Sequence, residues 1–188
     1  MSFQNMRSAC AIAVALFAAS NGVYAATADA TSATINITAE VTGATCTPSW
    51  NGSTPVSIDL GQVSAADMAA KGDVGSLKPF TLKLSNCDTS VSKVAIIAAG
   101  TADAADPTSF ANTLTGDSAA KGVAVALFGG DDQTTQIQPG STTPVEYSVT
   151  GGAAEMTFMA KLLRTAADAK DVTKGKVNST ATLYMSYE

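Results

Sequence analysis

An all-β sandwich is the fold this chain predicts, on three observations. Apolar and polar residues alternate with period two along several stretches, the pattern of strands with one buried face. β-branched residues are concentrated in those stretches, as a pleated, half-buried surface favours. Glycine, proline, asparagine and aspartate break them into short segments, and short strands at such spacing indicate two packed sheets.

The clearest early strand covers residues 33–41, where Ala33, Ile35, Ile37, Ala39 and Val41 alternate with Thr34, Asn36, Thr38 and Glu40. Weaker runs are predicted over residues 56–60, 77–84, 94–99, 123–128, 145–149 and 156–163. Turn chemistry separates them: Asn51-Gly52, Gly100, Gly116-Asp117, Gly129-Gly130-Asp131-Asp132, Pro139-Gly140 and Gly151-Gly152. Residues 64–71 predict a loop with some helix, because Ser64 has Asp67 three residues on as a cap. The last strand is the most regular. Val177, Ser179, Ala181, Leu183, Met185 and Tyr187 share one parity, and only Ser179 interrupts its apolar face. Alternation cannot say whether the two terminal strands pair within one molecule or between molecules.

The compartment follows from the first residues. One positive charge at Arg7, an apolar run over 9–19 and the small residues of Val23-Tyr24-Ala25 form a secretory signal. Residues 1–25 are therefore expected to be removed, taking Cys10 with them, and the mature chain to start at Ala26. It then has 163 residues, about one domain, with ten basic against sixteen acidic side chains. That balance argues against nucleic-acid and membrane-surface binding. Cys46 and Cys87, 41 residues apart, read as one disulfide in an exported chain. Closing that loop is worth about 4 kcal/mol in the chain-entropy account.

Catalysis finds no support. The chain has no histidine, the usual base for a serine or cysteine nucleophile, and no Ser-x-x-Lys or Gly-x-Ser-x-Gly arrangement. Asp131-Asp132 lacks the spaced oxygen ligands of a calcium loop and reads as a solvated turn, as do Asp103, Asp106 and Asp117. Trp50 reads as a packing residue, and the Asn51-Gly-Ser and Asn178-Ser-Thr sequons as coincidental. No catalytic residue, metal, cofactor, small-molecule substrate or nucleic acid is expected.

Five pieces in order carry a family resemblance: residues 40–46 (EVTGATC), 59–63 (DLGQV), 80–88 (FTLKLSNCD), 122–127 (GVAVAL) and the alternating last strand, with Gly175 fourteenth from the end and Tyr187 next to last. Over essentially the whole mature chain the sequence resembles the major pilins of type 1 and related chaperone–usher fimbriae. The resemblance implies an incomplete immunoglobulin-like sandwich lacking its final strand, with an N-terminal donor-strand extension. Residues 26–37 would be that extension, with Ile35 and Ile37 as anchors and Ala33 a smaller one, and residues 38–188 the pilin domain. Gly175, Val177, Ala181, Leu183, Met185 and Tyr187 would line the groove that a periplasmic chaperone fills first. At the outer-membrane usher the donor strand of a neighbouring subunit would replace the chaperone. It further implies export through the periplasm of a Gram-negative bacterium to the cell surface. A major rod subunit is the expected role, with minor, adaptor or terminating subunits and a carbohydrate-binding adhesin module as alternatives. The chain departs from the family in having no glycine over 26–42, and in Leu162 and Leu163 where relatives often carry an aromatic ring.

Overall fold

In the computed structural model the described residues are 45–50 and 55–188. The expected signal over 1–25 and the donor segment 26–37, with Ala33, Ile35 and Ile37, lie outside them. Within them the period-two stretches other than 56–60 become strands, all paired antiparallel. The strands are β1 (Thr47–Pro48), β2 (Val74–Ser85), β3 (Lys93–Gly100), β4 (Phe110–Ala111), β5 (Val123–Gly129), β6 (Thr135–Ile137), β7 (Val145–Ser148), β8 (Ala154–Arg164) and β9 (Ala181–Tyr187). The larger sheet runs β1-β2-β8-β5-β4, with β6 also on β5, and the smaller runs β7-β3-β9.

β8 shows how alternation builds the core. Ala154, Met156, Phe158, Ala160, Leu162 and Arg164 are buried, and every residue between them is at least partly open. Met156 and Phe158 pack with Leu82 and Leu84 of β2, Leu127 of β5 and Ile137 of β6; from the smaller sheet come Val94, Ile96, Ala98, Val145 and Tyr147. Phe158 stacks on Phe80 at 5.1 Å between ring centroids, and Tyr147 tilts against it at 5.3 Å. Each large apolar side chain so buried contributes about 2 kcal/mol. A second, smaller cluster lies at the far end of β8, where Leu162 meets Met68, Ala120 and Val123.

Two expectations change and one is met. Residues 56–60 form no strand: the Leu60 carbonyl accepts the Ser76 hydroxyl at 2.6 Å, so a side chain holds this segment where a ladder was expected. Residues 64–71 are the expected loop with some helix, a 3₁₀ turn over Ala65–Asp67 with the Ser64 hydroxyl accepting the Ala66 N–H at 3.2 Å. The last strand is shorter than its alternation, starting at Ala181. β1, β4 and β6, of two or three residues each, are too short to show a period.

Candidate functional site: the edge strand β9

The segment leading into β9 crosses from one sheet towards the other. Gly175 lies against the backbone of residues 118–120, where a Cβ would stand 2.7 Å from the Ser118 carbonyl oxygen. Its lack of a side chain lets Lys176 donate its N–H to Ser118 at 2.7 Å and accept that of Ala120 at 3.0 Å. Asn112 clamps the same stretch, its amide donating to the carbonyls of Ala120 and Lys176 and its oxygen accepting the Asn178 N–H, each at 2.9 Å. Val177 packs with the smaller cluster. Ser179, the one polar residue on the apolar parity, donates its hydroxyl to the Ala111 carbonyl at 2.7 Å.

From Ala181 the chain is regular strand. Its partner is β3, in the register Gly100 with Ala181, Ala98 with Leu183, Ile96 with Met185 and Val94 with Tyr187. Val94 and Ile96 have no exposed surface. Leu183, Met185 and Tyr187, on the same inner face, pack against the main core yet stay only half-buried. Ala181 is exposed. On the outer face Tyr184 stands directly across from Ile97, both exposed.

Among the described residues β9 pairs with no strand on its second edge, and the other edges differ from it. At β7, the Asp131 carboxylate accepts the Ser148 N–H at 3.1 Å and the Ser148 hydroxyl at 2.6 Å, so a side chain occupies that position. β2 is covered at one end by β1, with the Ser49 N–H on the Lys83 carbonyl at 2.9 Å. Leu60 holds the other end through Ser76. Between them stand Lys78 and Pro79, residue types that discourage added strands. β9 has neither charge nor proline over ATLYMSY. Strands on either side of one sheet therefore carry opposite chemistry.

The polar residues inside the fold support it without converging. Cys46 and Cys87 are disulfide-bonded, tying the approach to β1 to the end of β2. Trp50 packs against the main core. Asp132 accepts the hydroxyl and N–H of Thr134, which hold its carboxyl below the usual range. Burial alone would raise Asp106, but hydrogen bonds from Ser109 and Thr108 outweigh it and hold the carboxyl low. Burial pushes the Tyr147 phenol up to about 12, and its hydroxyl donates to the Thr157 carbonyl at 2.9 Å. Among the described residues no three histidine, cysteine or acidic side chains are grouped to hold a metal.

Two residues escaped sequence reasoning. Asp131 belongs to the glycine-rich turn read as merely solvated, yet it occupies the edge of β7. Arg164 is 2 % exposed and, among the described residues, has no acidic partner. Its guanidinium donates to the carbonyls of Ala166 at 2.9 Å, Met68 at 3.2 Å, Ala167 at 2.7 Å and Ala69. A cation on the buried parity of an apolar strand was the available signal for it.

Among the described residues the fold is a β-sandwich whose apolar edge strand β9 is left half-covered. Residues 35–188 match the family model described as "Fimbrial protein", and the chain belongs to that family. It is 30% identical over 176 residues to the type-1 fimbrial protein A chain of Escherichia coli, covering 93% of each chain. It is 33% identical over 158 residues to long polar fimbria protein A of Salmonella typhimurium, covering 82% of this chain and 83% of the relative. In fold it is similar to the P pilus rod subunit PapA, with a TM-score of 0.61 at 19% identity, over 76% of this chain and 99% of that one. The chain is a structural subunit of a fimbria and is displayed at the cell surface. Its family is structural, not enzymatic.

Proposed function

We propose that this subunit polymerises by strand exchange, with residues 26–37 of one copy entering beside β9 of the next, and that it forms the rod of its fimbria. One observation carries the reading: Leu183, Met185 and Tyr187 are half-buried although their cross-strand partners on β3 are buried completely. An added strand would cover them, with main-chain bonds giving affinity and alternate side chains filling the groove. Ile35 and Ile37 would be its anchors, each worth about 2 kcal/mol when buried, and Ala33 the smaller contact. Before assembly the same edge is an aggregation hazard, which a periplasmic chaperone would cover until the outer-membrane usher hands the subunit on. Removal of residues 1–25 would free the donor segment. A relative described as a probable major fimbrial subunit of Escherichia coli O157:H7, 29% identical over 174 residues, supports the rod assignment.

The test deletes residues 26–37 and expresses the chain with its chaperone and usher. Loss of fibres with retention of soluble, chaperone-bound subunit is the expected result. Normal assembly by the deleted chain would overturn the proposal. Counting copies in purified fimbriae tests the rod role, since a rod subunit must make up most of the mass.

A further inference from the structure

We propose that the subunit consists of two separately stable halves along β8, and that strand exchange completes only one of them, leaving the Arg164 half folded throughout. This inference rests on the strand-exchange reading above.

β8 lines both apolar clusters. Ala154, Met156 and Phe158 serve the main one and Leu162 the other, and buried Ala160 between them belongs to neither. The two are bounded differently. The main cluster ends on β9, whose inner residues remain half-buried. The smaller cluster is bounded by segments of the subunit itself: Met68 is buried, with Leu60 and Val63 from before β2 and Val172 and Val177 from before β9 packed partly buried around it. Met68 is 4 % exposed and Val123 likewise 4 %.

Its enclosure is fastened by polar bonds that need no second molecule. Four carbonyls of residues 68–69 and 166–167 converge on the buried Arg164 guanidinium. Main-chain bonds join Gly72 to Arg164 at 2.8 Å, Arg164 to Asp73 at 3.0 Å and Thr165 to Gly122 at 2.9 Å. Another joins Thr173 to Lys121 at 3.2 Å, and Asn112 holds residues 120, 176 and 178 together. A buried charge satisfied on every side rigidifies its surroundings, and cooperative units of this kind open independently. Val177 shows the division within one segment: it is seated in the enclosed half, only four residues before β9 begins. The enclosed half would hold β2, β5 and β8 in register while the groove empties and refills.

Hydrogen exchange on the full chain at low micromolar concentration tests this, with and without excess synthetic peptide of residues 26–37. Slow exchange at Gly72, Ala120, Arg164, Thr165, Thr173 and Lys176 is expected in both samples. Amides of β9 and of residues 95–99 should slow at least tenfold only with peptide. If both halves exchange fast alone and slow together on adding peptide, the two-half inference fails while strand exchange stands. If peptide changes neither half, strand exchange fails and takes this inference with it. Arg164→Met should speed exchange at residues 72, 165 and 173 more than tenfold and leave the peptide effect on β9 in place. Equal acceleration in both halves would again overturn the division.

Discussion

Asp131 and Ser148 meet twice, the carboxylate taking the Ser148 N–H at 3.1 Å and its hydroxyl at 2.6 Å. A residue of the β5–β6 turn thereby satisfies the edge of β7, a position where another strand could dock. Replacing Asp131 with alanine removes both bonds, one of them to a backbone donor. The expected cost is about 1–2 kcal/mol, since bonds to charged acceptors exceed neutral ones. Urea unfolding of the monomer measures it. An unchanged midpoint would show that water replaces the carboxylate without loss.

Gly129 and Tyr147 make a tighter pair. A Cβ at Gly129 would collide with the Tyr147 hydroxyl and lie 2.9 Å from the Ile137 Cδ1. Gly129→Ala is expected to destabilise by about 1–3 kcal/mol, the range for overpacking a filled core. Tyr147→Phe alone should cost about 1 kcal/mol through the bond to Thr157. Combined, they should cost less than their sum, because the second change removes the obstacle to the first. The phenol also sets an alkaline limit. Its native pKa of about 12 stands above the ordinary 10.0, so its contribution is intact below pH 10 and lost as pH rises towards 12. Tyr147→Phe should flatten the fall of stability in that window.

Asp106 sets a limit on the acid side. Its carboxylate accepts from the Ser109 hydroxyl at 2.6 Å and the Thr108 hydroxyl at 2.7 Å, and its pKa is lowered from 3.8. A depressed native value means stability present above the unfolded value and lost as pH falls through the native one. Asp106→Asn should therefore weaken the dependence of the urea midpoint on pH from 3.8 downward. An identical acid profile in the variant would assign that slope to other carboxylates.

The disulfide joins residues 41 apart in sequence. Changing both Cys46 and Cys87 to serine should cost about 2–5 kcal/mol, the range for removing such a bridge from a small exported domain. Reductant should lower the urea midpoint of the native chain and leave the double variant unmoved. Equal sensitivity in both would show that the reagent acts elsewhere.

The sheets were largely legible because alternation reports burial directly. Residues 77–84 and 156–163 lie inside β2 and β8 for that reason. The pattern misled where a second influence shared its period. At Val177 and Ser179 the residues keep the parity of β9, but the chain there is turned by Gly175 and held by Asn112, and its apolar side chain serves another cluster. Residues 56–60 alternate as a strand would, and a single serine hydroxyl displaced the ladder. Of the residues expected to line the groove, Ala181, Leu183, Met185 and Tyr187 fall together on β9, whereas Gly175 and Val177 precede it. Asp131 could not be read from a one-dimensional pattern, and for Arg164 only its buried parity could, because Ser148, Met68 and Ala69 lie at other places along the chain.

Under the proposed strand exchange, the contrast among the described residues between a blunted β7 and an unpaired edge of β9 bears on the geometry of what can be built. A particle with one receptive margin and one tail has a valence of two. Units of valence two make neither branches nor networks, whatever their concentration, and each addition reproduces the single open end it consumed. Length then becomes a matter of supply and of whatever unit arrives lacking that margin. On the strand-exchange proposal, Asp131, by holding Ser148, would keep the small sheet from acquiring a third connection.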